Sequence, residues 1–216
     1  MMMKFSDEIC QLVISHMDAI EEAPQVISEI ENCLFGAIQD RIELLAKESW
    51  GEEMWADRGE ADRRPRADKN WGLHGRMWFG PHKWSSEEDA GANLDLDFIR
   101  NRENVYKLSA ALGVNGGQLR LCYVEKAPSL NNKEKKARVS QFYREQTSLE
   151  SSGLQLFDDN VIGFCFTLDP EKVAEEYPNF DEALAPVNEA FNAFLKNHEI
   201  FDDYVKTLFE LEKQKQ

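Results

Sequence analysis

Asp95 and Asp97 are the residues whose types and spacing point most directly to chemistry. They alternate with apolar residues in LDLDF, residues 94–98, so an extended strand places both carboxylates on one face. Such pairs hold Mg²⁺ in nucleases and phosphoryl-transferring enzymes. With Glu125 as a third acid, they predict a divergent metal-dependent nuclease or phosphoryl-processing enzyme as one alternative function. A nuclease site of this kind needs a glutamate and a lysine one residue apart on a later strand. Here Glu125 and Lys126 are adjacent, so an extended strand places them on opposite faces. We therefore favour a half-buried strand with a solvated outer face.

Two histidines near this segment raise the question of a metal site. His74 and His82 are eight residues apart, and Gly80-Pro81 lies between them. That spacing does not bring two imidazoles together by local geometry, and no HExxH-like pattern occurs. We therefore predict no metal site, with Asp95 and Asp97 as the weak candidates, and we expect no cofactor.

All five tryptophans lie between residues 50 and 84, and three of them fall in NWGLHGRMWFGPHKW, residues 70–84. The alternation predicts a strand over 71–79 with Trp71 on an apolar face. Trp78 falls on the other face together with His74 and Arg76. We favour core packing for this segment. The alternative is a recognition surface of Trp78, Arg76 and His74 that stacks on a ring or a partner side chain, which would make the protein a small-ligand-binding module.

Motifs of nucleophilic and nucleotide chemistry are missing from the sequence. There is no GxSxG elbow, no GxGxxG and no GxxxxGK[ST] segment. The glycines of GVNGGQ, residues 113–118, follow a predicted helix and precede a predicted strand, which is the order of a helix C-cap and turn rather than of a phosphate cradle. We therefore expect a protein that is not an enzyme.

Charge is distributed unevenly along the 216 residues, whose net charge is −15. The segments 1–53 and 169–216 carry net charges of −9 and −7, whereas the middle of the chain is nearly balanced. An acidic surface argues against direct nucleic-acid binding and is compatible with a basic protein partner. Two basic segments stand out as candidate contact surfaces, one containing Arg63 and Arg64 and the other containing Lys135 and Lys136.

Apolar periodicity and turn residues predict an α+β fold in a single domain, residues 1–216. We expect an N-terminal helical hairpin over 1–50 with a break at Pro24, a sheet-containing core over 70–168, and C-terminal helices over 170–214. Residues 51–69 have the composition of an exposed loop. The sheet is expected to be small and mixed or largely antiparallel, with the helices packed on it.

The compartment and the partner class follow from composition. The four cysteines are scattered through apolar patterns without a CxxC pair, no apolar run is long enough to span a membrane, and the N-terminus resembles no secretory signal. We therefore expect a cytoplasmic protein. The favoured function is that of a non-enzymatic interaction protein, an accessory or inhibitor protein of phage or bacterial type. Its acidic helical ends would dock on a basic, nucleic-acid-handling protein.

Overall fold

The computed structural model describes residues 11, 14–51, 54–57, 77–85, 90–99, 106–158 and 161–215, with the backbone alone for 54–57, 77 and 78. Within these ranges the helices are α1 (Met17–Trp50), α2 (Lys107–Ala111), α3 (Asn132–Glu145), α4 (Thr147–Ser151), α5 (Pro170–Glu176), α6 (Ala185–Leu195) and α7 (His198–Gln214). The strands are β1 (Met54–Asp57), β2 (Met77–Pro81), β3 (Gly91–Ile99), β4 (Gln118–Lys126), β5 (Gln155–Leu156) and β6 (Ile162–Phe166).

The strands form one sheet in the order β1-β2-β3-β4-β6-β5, and every neighbouring pair is antiparallel. The predicted α+β class with a largely antiparallel sheet is therefore confirmed. The longest pairing joins β3 to β4 over nine residues, from Gly91 opposite Lys126 to Ile99 opposite Gln118. Gly113 has a φ of 74° at the end of α2, so this glycine supplies the left-handed residue that the predicted helix C-cap requires.

One face of the sheet forms the floor of the hydrophobic core. Leu94, Leu96 and Phe98 of β3 face this side as predicted, and they pair with Tyr123, Leu121 and Leu119 of β4. Helices from both ends of the chain cover this face. Phe35 of α1 meets Phe98 edge-on at 5.0 Å between ring centroids, Phe191 of α6 stacks on Phe79 at 6.0 Å, and Phe201 of α7 lies 4.9 Å from Tyr123.

The predicted hairpin with a break at Pro24 is wrong, because α1 continues through the proline from Met17 to Trp50. A proline inside a helix removes the hydrogen bond to the carbonyl four residues earlier, here that of Ile20, and costs about 3 kcal/mol. The helix nevertheless continues on both sides of Pro24. The C-terminal half of α1 is anchored in the core by Leu34, Phe35, Ile38, Ile42 and Ala46.

Other element boundaries differ from the sequence-based expectations. Strand β1 lies inside the segment predicted as a loop. A break at Gln146 separates α3 from α4. Three helices, α5, α6 and α7, form the C-terminal helical region predicted over 170–214. Among the helices described, none is long and apolar enough to cross a lipid bilayer.

Candidate functional site

The described tryptophan side chains belong to the core. Trp84 is 2 % exposed, its ring meets Tyr123 edge-on at 5.7 Å, and its indole N–H donates to Asp202 Oδ1 at 2.7 Å. Trp50 packs against Phe191 at 5.5 Å. Trp84 of the segment 70–84 is therefore a core residue. Core packing of Trp71, which lies outside the described residues, and of the Trp78 side chain stays a prediction.

The predicted recognition surface lies mostly outside the described residues. The backbone of Trp78 belongs to β2 and pairs with Asp95 of β3, whereas His74, Arg76, Arg63 and Arg64 are outside the ranges that the structure describes. The recognition surface of Trp78, Arg76 and His74 therefore stays a prediction, as does the basic segment with Arg63 and Arg64.

The second face of the sheet carries polar side chains, but it is not the solvated face that we expected, because Asn93, Asp95 and Arg120 are at most 6 % exposed. An ion pair organises this face. Arg120 of β4 stands opposite Asp97 of β3, and its Nη2 lies 2.8 Å from Asp97 Oδ2. The guanidinium also lies over the ring of Phe157, 4.8 Å from its centroid. Gly163 leaves room for this side chain, because a Cβ there would come within 3.1 Å of Arg120 Cγ. Asp97 thus has a structural partner that the sequence did not reveal.

The three acids of the nuclease alternative do not meet. Asp95 and Asp97 pair with Cys122 and Arg120, whereas Glu125 pairs with Ala92, so Glu125 lies on the opposite face of the sheet. His82 is exposed in the short 3₁₀ helix after β2. Among the described residues no three His, Cys, Asp or Glu side chains are grouped so that they could hold a metal ion.

Glu125 instead forms a buried clamp with Arg138. Its side chain is 3 % exposed, and Arg138 Nε donates to Glu125 Oε1 at 2.9 Å. Arg138 Nη2 donates to the carbonyl of Tyr204 at 3.0 Å and to Thr207 Oγ1 at 2.8 Å. The clamp therefore ties β4 and α3 to α7. Burial raises the pKa of Glu125 above its usual range, and the nearby Arg138 opposes that rise.

The basic segment at the start of α3 is partly explained by this clamp and by a capping box. Asn131 Oδ1 accepts from the backbone N–H groups of Lys133 and Glu134, while Glu134 accepts from the N–H of Asn131. Lys136 is exposed and Lys135 is half-buried. Their role as a contact surface stays a prediction.

A shallow groove of about 470 Å³ lies between α3 and α7. It is lined by Arg138, Gln141, Phe142, Glu145, Gln146, Ile200, Asp203, Tyr204 and Thr207. The rings of Phe142 and Tyr204 stack at 3.8 Å, and the Arg138 guanidinium lies over the Tyr204 ring at 4.2 Å. The aromatic faces are therefore engaged within the protein, and the groove offers polar side chains at its rim.

The N-terminal half of α1 belongs to the acidic ends that the sequence predicts as docking surface, but sequence reasoning missed its exposed apolar side chains. No side chain from Met17 to Asn32 is buried. Three of the apolar side chains in this stretch are exposed: Met17 and Ile20 are each 42 % exposed, and Val26 is 48 % exposed. The stretch from Met17 to Asp40 contains six acidic residues and no lysine or arginine. Apolar residues recur at helical spacing from Ile20 to Leu34, and this pattern indicates a continuous apolar face. The predicted break at Pro24 divided the pattern, so the face was not recognised. We call residues 17–32 the acidic arm.

The acids of α7 are used differently. Asp202 accepts from Lys83 Nζ as well as from the Trp84 indole, and Asp203 pairs with Lys206 at 2.8 Å. The buried Glu212 accepts from the backbone N–H of Ser129 at 3.3 Å with both oxygens. Two of the five acids of this helix, Asp202 and Glu212, are thus directed to contacts with other elements of the fold, whereas Glu199, Asp203 and Glu210 are exposed.

No known protein family, curated protein sequence or solved structure matches this chain.

Proposed function

We propose that this is a non-enzymatic interaction protein that docks on a basic partner protein through the acidic arm. One observation carries the proposal: five acids and no lysine or arginine accompany exposed apolar side chains on residues 17–32, the half of α1 that buries no side chain. Exposed apolar side chains beside uniform charge are typical of a binding surface. Engagement of Asp97 by Arg120 and of Glu125 by Arg138 further favours interaction over catalysis.

The finer parts of the proposal concern the partner and the compartment. A row of carboxylates offers a basic groove the same sign of charge as a phosphate backbone, so a nucleic-acid-handling protein is the partner class we favour. An accessory or inhibitor protein of phage or bacterial type would work in this way. Cys33, Cys122 and Cys165 are free thiols, which supports a reducing compartment such as the cytoplasm.

The test is affinity capture from the native host's lysate, with and without nuclease, read by mass spectrometry. The wild-type protein is compared with Glu21→Gln/Glu22→Gln/Glu29→Gln, which neutralises three exposed carboxylates of the acidic arm. The matched control is Glu175→Gln/Glu199→Gln/Glu210→Gln, which removes the same charge at exposed positions near the other end of the chain. Equal thermal melts establish that all three proteins are folded.

A basic protein that resists nuclease, is retained by the wild type and the control, and is lost from the arm variant supports the proposal. Equal retention by the arm variant contradicts it. A partner lost equally from the arm variant and the control would indicate overall charge rather than the acidic arm.

A further inference from the structure

An apolar stripe on α1 extends beyond the core that it serves. Leu34, Ile38 and Ile42 are completely buried against the rest of the protein. Toward the N-terminus the same helical face continues with Ile30, Ile27, Ala23 and Ile20, separated by alternating steps of three and four residues. We call these four residues the arm stripe.

The arm stripe is incompletely covered. Ile20 is 42 % exposed, and Ala23, Ile27 and Ile30 are only half-buried. At 1.5 Å per residue the stripe is about 15 Å long, roughly three helical turns. Apolar positions with this spacing are those that a second helix covers in a two-helix packing.

The charge of the acidic arm determines which kind of helix can cover the arm stripe. A second copy of this chain would place two acidic arms side by side, each with Asp18, Glu21, Glu22, Glu29 and Glu31 and without a lysine or arginine in that stretch. Like charges at close range oppose the pairing of two copies. Lysine and arginine side chains on a partner helix would instead attract the carboxylates of the arm and increase the association rate. The charge argument therefore excludes self-pairing as the favoured solution.

We infer that a basic amphipathic helix of the partner protein packs along the arm stripe, with its apolar face on Ile20, Ala23, Ile27 and Ile30 and its lysine or arginine side chains beside the arm's carboxylates. The inference rests on the proposed function and adds to it the secondary structure of the partner and its apolar contact.

The probe is a synthetic peptide of about three heptads with Leu at the a and d positions and Lys elsewhere. A scrambled peptide of the same composition removes the apolar face, and a peptide with Glu in place of Lys reverses the charge. Fluorescence anisotropy at physiological salt gives the Kd for the full chain. The stripe variant is Ile20→Ser/Ile27→Ser, and its matched control is Leu44→Ser, which changes a 51 % exposed leucine of the same helix outside the stripe.

We expect the basic amphipathic peptide to bind the wild type about tenfold or more tightly than the scrambled peptide does. Ile20→Ser/Ile27→Ser should weaken that binding by about tenfold, and Leu44→Ser should leave it within about twofold. The Glu-containing peptide should show no binding. Light scattering should give the wild type the mass of a single chain at micromolar concentration.

Several results would overturn the inference. If the scrambled peptide binds as tightly as the amphipathic one, or the stripe variant binds like the wild type, recognition is by charge alone; the proposed function then stands and the inference fails. If the Glu-containing peptide binds equally, a basic partner is not selected and both fail. No binding of any peptide refutes the helical partner and leaves the lysate capture to decide the proposed function. A wild-type dimer that dissociates in the stripe variant would make a second copy the occupant.

Discussion

The two acidic ends of the chain have similar charge and opposite structural roles. Helix α7 buries Phe201, Tyr204 and Val205 in the core. Two of its acids bind other elements of the fold: Asp202 binds Lys83 and Trp84, and Glu212 binds the backbone of Ser129. The acidic arm buries no side chain and contains no basic residue. Net charge therefore does not identify a docking surface. The decisive property is whether the helix that carries the acids packs in the core, because single acids of the arm also find donors: Glu31 accepts from the backbone N–H of Leu108 and Glu29 accepts from Gln25 Nε2.

The largest expected effect contrasts a core position of α7 with the acidic arm. Phe201 is completely buried and lies within about 6 Å of the rings of Trp84, Tyr123 and Phe194. Phe201→Ala should lower the free energy of unfolding by about 3–5 kcal/mol, because it leaves a cavity among these rings. Ile27→Ala, on the half-buried arm stripe, should cost clearly less. Denaturant unfolding measures both, and equal losses would place the arm in the core and end the contrast.

The second prediction separates two adjacent acids of α7. Asp202→Ala removes the acceptor of the Trp84 indole N–H and should cost about 1–3 kcal/mol, because a buried donor loses its partner. Asp203→Ala removes only an exposed pair with Lys206 and should change the free energy of unfolding by less than about 0.5 kcal/mol. Thermal unfolding compares the two variants. A similar cost for both would mean that the indole contact contributes little.

The third prediction concerns pH and the clamp that holds α7. Burial raises the pKa of Glu125 above its usual value of 4.5, so the folded chain holds this proton more tightly than the unfolded chain does. The contribution of Glu125 to the free energy of unfolding is therefore greatest at low pH and falls as the pH rises through 4.5 toward the folded-state pKa. The unfolding free energy of the wild type minus that of Glu125→Gln should accordingly decrease as the pH rises through that window.

Glu134 provides a control of opposite sign. The N–H of Asn131 and the ammonium of Lys215 lower the pKa of Glu134. Its contribution is present at neutral pH and is lost as the pH falls below 4.5. The wild type minus Glu134→Gln difference should therefore decrease toward low pH. The difference in unfolding free energy between wild type and variant is compared for Glu125→Gln and for Glu134→Gln. If both differences change with pH in the same direction, Glu125 is not the buried carboxyl of the two.

The smallest expected effect belongs to the acidic arm itself. Asp18 and Glu22 are four residues apart and Asp18 and Glu21 three apart, so like charges repel along one side of the helix. Neutralising Glu21, Glu22 and Glu29 should raise the free energy of unfolding by a few tenths of a kcal/mol at low salt. Added salt should abolish the gain. A loss of stability in denaturant titrations would show that these carboxylates serve the fold as the acids of α7 do.

Periodicity predicted much of the fold from local sequence. The alternation of Leu94, Leu96 and Phe98 identified the core face of β3, and the glycine-rich turn identified the end of α2. The course of α1 could not be derived from Pro24, because a proline's local cost does not decide whether the flanking residues keep the helix intact. Strand β1 was missed because pairing with β2, rather than its own composition, makes residues 54–57 a strand.

The candidate site was harder to predict, because partners distant in sequence decide the role of each charged residue. The sequence makes Asp97 a candidate metal ligand, whereas the structure shows that it pairs with Arg120 on the neighbouring strand. Glu125 was grouped with Asp95 and Asp97, but its strand places it on the opposite face of the sheet. The acids of α7 and of the acidic arm are alike in composition. Contacts such as that of Asp202 with Trp84, 118 residues apart, separate the two groups, and no local pattern contains that information.

The passage of α1 through Pro24 also has a mechanical consequence. A helix of 34 residues is about 50 Å long, and only its C-terminal half is anchored in the core. Pro24 cannot donate to the Ile20 carbonyl, so the bending stiffness of the helix is lowest at that point. A partner helix bound between Ile20 and Ile30 would span Pro24 and restrict bending there. The two halves of α1 would then move together with the core as one rigid body.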